Sequence, residues 1–301
     1  MEMPRLPLPH LPDGPRFGVG AAVFGNLVPE RDLPLIAAAG FPGIEPYRGM
    51  TMPYVDKPRE LKAMLDAHGV AMVTCSNGGP GQSCDFISPD AREATVADHV
   101  SFARDWLSVF GCRHFKINMG SRPPGGTSDD DLQRIAQTIN EIGRQTAAFG
   151  IRIAPHPHIW GPVERPEEIR RLLELTDPET VSLTLDTAHV NLGGGDPMEF
   201  IAAHYDRICA IHWKDTKPAY RGFTGSTPTQ AMHREEILYK NLGAGGVDLP
   251  AFWGAMRERG YDYWVTLDLD PPRADEGEGT VAEKIAANKR YLTDTLGIER
   301  L

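Results

Sequence analysis

IRIAPHPHIWGPVERPEEIRRLLELTDPETVSLTLDTAHVNLGGGDPMEFIAAHYDRICAIHW, residues 151–213, holds three short apolar runs: 151–156 (IRIAPH), 181–186 (VSLTLD) and 208–213 (ICAIHW). Short apolar runs with β-branched residues are what strands buried on both faces look like. Between them lie two helical stretches. Residues 165–176 open with Arg165-Pro166-Glu167-Glu168, which places a proline near the first turn, and residues 196–206 open with Asp196-Pro197. Strand, helix, strand, helix, strand at this spacing is a run of parallel βα units.

The same alternation continues in both directions. Apolar runs recur at 16–21 (RFGVGA), 43–46 (GIEP), 70–75 (VAMVTC), 113–118 (RHFKIN) and 263–268 (YWVTLD). Helical patterns fall at 30–39, 57–68, 90–110, 128–149, 248–259 and about 280–296. Eight strands alternating with eight helices predict a closed (β/α)8 barrel, with strand one near Phe17–Gly20 and strand eight near Trp264–Asp268. An open doubly wound sheet is the rival, but Gly18-x-Gly20-Ala21 is not followed by the glycine pattern that such sheets place after their first strand. The expected organisation is one barrel domain over residues 1–301, with 1–15 as an N-terminal extension and 214–247 as a loop-rich rim segment or lid.

The composition, 41% hydrophobic and 24% charged, supplies a large core and excludes a disordered chain. A formal charge of −10 argues against nucleic acid and anionic membranes as partners, since both call for basic patches. No window approaches the ~20 apolar residues of a membrane span. Cys75, Cys84, Cys112 and Cys209 form no C-x-x-C pair, which suggests a reducing compartment. The proline-rich N-terminus has no apolar core of a signal peptide, so the expected location is cytoplasmic.

Catalytic side chains in a (β/α)8 barrel gather at the C-terminal ends of the strands. The polar residues there are Glu45; Lys116 and Asn118; His156 and His158; Asp186 and His189; His212, Lys214 and Asp215; and Asp268 and Asp270. Singly, each has a plain structural explanation: Asp186 as a helix cap, His189 as a core histidine, His212 as a strand end before a solvated loop. Four successive strands ending in imidazole or carboxylate are harder to explain by stability, and that donor mixture suits Mn, Fe, Co, Ni or Zn.

The stretches VSLTLDTAHVNLGGGDPMEFI (181–201), DRICAIHWKD (206–215), NLGAGGVDLPAFW (241–253) and YWVTLDLDPP (263–272) resemble the xylose-isomerase-like TIM-barrel superfamily of sugar isomerases, epimerases and dehydratases. The resemblance implies a metal held by an acid on strand five, the Asp of an Asp-x-x-His, the His of a His-x-Lys-Asp and an acid on strand eight. Carried over, these are Asp186, His212 and Asp268, with His189 reaching the substrate. Two positions depart from that pattern. Many relatives carry Glu-Asn-His where this chain has His156-Pro157-His158, so His156 becomes the candidate fourth ligand, the alternative being a bond to water or a substrate hydroxyl. Asp268 stands where Glu is usual. The segment from His156 to Leu173 resembles the myo-inosose dehydratase branch more than the ketose epimerases.

Such enzymes begin by removing a proton α to a ketone, with a metal stabilising the charge that develops. The main expectation is a metal-dependent sugar isomerase or epimerase acting on a sugar or polyol ketone. The alternative is an inosose-dehydratase-like lyase acting on a keto-sugar or keto-cyclitol. A metal nuclease sharing the barrel conflicts with the charge, and a non-catalytic sugar-binding barrel ranks lower still. The expected ligands are His156, Asp186, His212 and Asp268, for Mn first among Mn, Co, Ni, Zn and Mg. Expected catalytic groups are His158, His189, Lys214 and Glu45, with Lys116, Asn118 and Arg221 contacting substrate. Tyr220, Arg221 and His233 are the contributors expected from the rim segment, and self-association into a homo-oligomer stays open.

Overall fold

A computed structural model describes residues 6–78, 84–274 and 277–301. Eight parallel strands form a ring: β1 (Arg16–Gly20), β2 (Gly43–Glu45), β3 (Ala71–Met72), β4 (His114–Ile117), β5 (Arg152–Pro155), β6 (Leu183–Asp186), β7 (Ile208–Trp213) and β8 (Trp264–Leu267). β1 pairs with β2 on one side and with β8 on the other, so the first and last strands close the barrel. One ladder runs β3-β2-β1-β8-β7-β6 and a second joins β4 to β5. Ile153 of β5 bridges Val181, just ahead of β6.

Between β3 and β4 no ladder exists among the described residues. Side chains stitch this seam instead. Thr74 Oγ1 donates to the His114 carbonyl at 2.8 Å. Asn77 Nδ2 donates to the Asn118 carbonyl at 2.8 Å, and its Oδ1 accepts from the Asn118 N–H at 2.7 Å. The run read as strand over 70–75 is accordingly a strand only at Ala71–Met72, because past that point its neighbour on one side is a set of side chains rather than a backbone.

The ring is surrounded by α1 (Pro29–Ala39), α2 (Pro58–Ala67), α3 (Arg92–Asp105), α4 (Asp129–Thr146), α5 (Pro166–Leu175), α6 (Thr187–Leu192), α7 (Pro197–His204), α8 (Gln230–Glu235), α9 (Leu249–Glu258) and α10 (Val281–Arg290). α4 shows the logic. Ser128 caps it in a reciprocal box with Asp131, and Leu132, Ile135, Ile139 and Ile142 recur at helical spacing and are buried. Each such side chain contributes roughly 1.5–3 kcal/mol on burial. α6 starts directly after β6, and Asp186 is its cap as the plain structural reading had it, with Oδ1 accepting from the His189 N–H at 2.8 Å.

Small residues make room inside the barrel. A Cβ on Gly43 would stand 2.6 Å from the Trp264 ring, and one on Gly18 would stand 2.8 Å from Val73. At the N-terminal end of the barrel, Leu8 packs against Ala154, Cys209 and Ala210. Buried Arg152 donates there to the carbonyls of Leu6, Pro178 and Glu179 and to Ser182 Oγ. The N-terminal extension is thus a plug from Leu6 onward.

Residues 214–247, read from sequence as loop, carry α8 and an antiparallel ribbon of Asp215–Thr216 with Tyr239–Lys240. The buried Asp215 carboxylate accepts from the N–H groups of Thr216, Gly243, Gly245 and Val247, at 2.8–3.1 Å, and so folds the segment back onto the approach to α9. Among the described residues no helix is long and apolar enough to cross a membrane.

Candidate functional site

Strand register builds the floor of the site. Asp186 pairs with His212 across β6 and β7, and His212 pairs with Thr266 across β7 and β8. Asp268 follows β8 immediately, and His156 follows β5, its N–H bonded to the Ile117 carbonyl. The alternation of a strand therefore turns His156, Asp186, His212 and Asp268 to one side, the barrel mouth. His156 Nε2 lies 3.4 Å from Asp186 Oδ2. His212 Nδ1 lies 3.8 Å from the same oxygen and 3.6 Å from Asp268 Oδ2. Donor atoms of His156, Asp186 and His212 are all within 4.8 Å of one another, and Asp186, His189 and Asp268 make a second such group.

The opposite side of His212 is held by charge. Glu45 Oε1 is 2.8 Å from His212 Nε2 and 2.8 Å from Lys116 Nζ, while Oε2 accepts from Thr266 Oγ1 at 2.7 Å. Burial works to raise the Glu45 pKa, but His212 and Lys116 hold it well below the usual carboxylate range. Burial likewise opposes a charge on His212, yet Glu45 carries its pKa up to about 9. His212 Nδ1 is buried with no hydrogen-bond partner. An orphaned nitrogen facing two carboxylates, on a ring whose other nitrogen is held by a third, is a donor set that a divalent cation satisfies.

The other imidazoles at the floor are shifted in the opposite direction. Burial pushes His156, His158 and His189 below the ordinary histidine value. The His158 and His189 rings lie against each other, tilted by 40° with centroids 3.8 Å apart, and the Tyr239 hydroxyl reaches His189 Nδ1 at 3.4 Å. Lys214 lies 2.9 Å from Asp270 and 3.4 Å from Asp268, over the Tyr239 ring. Burial disfavours its charge, but the two carboxylates hold its pKa well above the usual lysine value.

A cavity of about 480 Å³ opens above this floor. Glu45, Lys116, Asn118, His156, His158, His212 and Asp268 line it, with Asn26, Ser76 and Asn77 on its walls. A neighbouring cavity of about 400 Å³ shares Asp268 with it and adds Lys214, His233 and Tyr239 from the rim segment. Of the three rim residues expected at the mouth, only His233 lines either cavity. Arg221 is exposed and lines a separate cavity with Arg170, Asp196 and Phe223, because the Asp215 fold carries its part of the segment outward. Tyr220 lies half-buried against Ile159, Ala188 and Leu192.

Three contributors escaped the sequence reading. Asn77 stands two residues past the run 70–75, and extending that run to its polar end would have found it. Tyr239 carries no local signal. Trp160 is the one non-glycine residue with positive φ (69°) among the described residues. Its N–H donates to Glu164 and its indole Nε1 to the Pro228 carbonyl, both at 2.7 Å, which ties the His158 loop to the rim segment.

A family model of the xylose isomerase-like TIM barrel matches residues 33–291. An inosose dehydratase from Lacticaseibacillus casei is 26% identical over 292 residues, covering 89% of this chain and 90% of that protein. An inosose dehydratase from Salmonella agona is 37% identical over 150 residues, 48% of each chain. The solved structure of IolI protein with a bound zinc atom superposes with a TM-score of 0.75 at 17% identity, over 94% of this chain and 98% of that one. With the match spanning from α1 to the end of α10, the chain belongs to the xylose isomerase-like TIM barrel family.

Proposed function

We propose that this protein is a divalent-metal-dependent lyase that removes water from a keto-cyclitol or a closely related cyclic keto-sugar. The carrying observation is one polyol-sized cavity in which the His156, Asp186 and His212 donors converge at the floor while neutral His158 and the Lys116–Glu45 ion pair share the walls. Ligand cavities of a few hundred Å³ with a handful of convergent polar groups suit a substrate of this size. The dehydratase reading draws support from a relative of that name aligned over nine-tenths of both chains, whereas isomerase and epimerase activity has support only from the wider superfamily. The zinc of the structural neighbour supports a divalent ion without favouring manganese.

His156, Asp186, His212 and Asp268 would hold the ion, which when bound polarises the substrate ketone and offsets the negative charge growing on its oxygen. His158 takes the proton from the carbon next to the ketone; burial keeps this imidazole neutral and able to accept it. The electron pair of that C–H bond forms the C=C bond as the neighbouring C–O bond breaks. Lys116, held by Glu45, gives a proton to the departing hydroxyl, which leaves as water. His189 backs His158 through the contact between their rings, and Lys214 stays a fixed cation beside Asp268.

Incubating the metal-loaded enzyme with a monoketone of inositol in D₂O, followed by NMR, tests the proposal. Loss of one hydroxyl group as water, with every carbon retained and a C=C bond formed beside the ketone, is the expected result. Solvent deuterium at one carbon with every hydroxyl retained would instead identify an isomerase or epimerase. Substrate binding with no change at any carbon would identify a sugar-binding barrel.

A further inference from the structure

His156 stands where the family resemblance calls for an acid, and its ring is held by a chain of hydrogen bonds. His156 Nδ1 lies 3.2 Å from Asn118 Oδ1. Asn118 is itself fixed, because both of its backbone groups bond to the Asn77 carboxamide across the seam between β3 and β4. The Asn77 amide orientation is forced: only an oxygen can accept from the Asn118 N–H, and only an N–H can donate to its carbonyl. The remaining Asn77 N–H meets His99 Nε2 at 3.0 Å. His99 Nδ1 faces the Thr95 carbonyl at 2.7 Å, so Nδ1 carries the His99 proton and Nε2 accepts from Asn77. His99 and Asn77 are 0% and 1% exposed, so water does not compete for these bonds.

The far end of the chain has a chemical consequence. With Oδ1 accepting, His156 carries its proton on Nδ1 and turns the Nε2 lone pair toward Asp186 Oδ2, 3.4 Å away. Two lone pairs facing each other at that distance repel, and a divalent cation between them would turn both atoms into ligands. The opposite tautomer would let Nε2–H bond to Asp186 and would spoil the site as a ligand set.

We infer that Asn118 is a positioning residue for a metal ligand: pinned by Asn77 and, through it, by His99, it selects the His156 tautomer that offers Nε2 to the ion. The role rests on the metal-dependent reading above and assigns His156 to the ligand set rather than to the substrate. It also gives Asn118 a task beyond the substrate contact expected of it, and makes Asn77 and His99 parts of the centre although neither could touch the ion. Outer partners of ligating histidines are worth roughly 10–100-fold in metal affinity.

The test uses cobalt(II) alone, without substrate, on three full-length proteins. Asn118→Leu keeps the size and removes the acceptor. Asn118→Asp keeps an acceptor oxygen. The Asn118→Leu variant should bind cobalt at least about tenfold more weakly, with an altered visible ligand-field spectrum. Its metal-free form should show His156 moving to the Nε2-protonated tautomer by ¹⁵N NMR. Asn118→Asp should restore the parent's spectrum and tautomer. Thermal melting of the metal-free proteins separates a folding defect, since a purely structural role would lower both variants' melting temperatures and move neither spectrum nor tautomer. Equal cobalt affinity in parent and Asn118→Leu overturns this inference and leaves the metal site standing. A parent that takes up no cobalt overturns the metal-dependent reading along with it.

Discussion

The arc from β6 to β8 and the seam between β3 and β4 deliver side chains to the same cavity by different means. In the arc, backbone pairing alone sets Asp186 beside His212 and His212 beside Thr266. At the seam no ladder runs among the described residues, and Thr74, Asn77 and Asn118 provide the connection through side chains. Where a ladder is continuous, position along the strand is enough to place a functional group. Where it is broken, placement depends on pairs such as Asn77 and Asn118, which belong to different βα units and have no spacing rule to link them.

The contrast can be broken most forcefully at Asp186. Asp186→Asn keeps an oxygen to cap α6 at the His189 N–H but removes the charge shared by both candidate ligand groups. Metal affinity should fall by more than the ~10–100-fold that removing an outer partner costs, and turnover should vanish while the fold persists. Equilibrium dialysis with zinc and far-ultraviolet circular dichroism measure the two; undiminished zinc uptake would remove Asp186 from the centre. A second blow falls within the ladder, at Gly43. Gly43→Ala drives a methyl group into the Trp264 ring. The ring is buried and has nowhere to move, so the loss should be about 1–3 kcal/mol in urea unfolding. The smallest effect belongs to the seam. Thr74→Val removes one buried bond to the His114 carbonyl without changing side-chain shape and should cost about 1 kcal/mol. Metal affinity should not change, because Thr74 plays no part in orienting Asn118. A large drop in affinity would mean that the seam moves as one unit.

The same contrast explains what could be read in advance. Eight strands and the helices between them follow from apolar runs and capping residues, so the ring and its order were legible. Asp186, His212 and Asp268 were legible too, because each closes a run. Glu45 was found by the same rule, but not its tie to both His212 and Lys116, which joins β2, β7 and β4 across the barrel. Arg221 was misplaced because Asp215 gathers three backbone N–H groups from a later turn, and nothing in the spacing of the rim segment announces that fold. Asp186 was legible both as a helix cap and as a ligand, and the structure shows the two readings are compatible, because Oδ1 caps α6 while Oδ2 faces His156 and His212.

Trp160 has a practical optical consequence. Trp106, Trp213, Trp253 and Trp264 are buried, whereas Trp160 is half-exposed and bonded to the rim segment through Pro228. Excitation at the red edge of the absorption band favours emission from the indole with the most polar surroundings. The protein therefore carries an intrinsic fluorophore in a cavity it shares with His156 and His158, and the colour of its emission can follow ligand entry in real time without a dye.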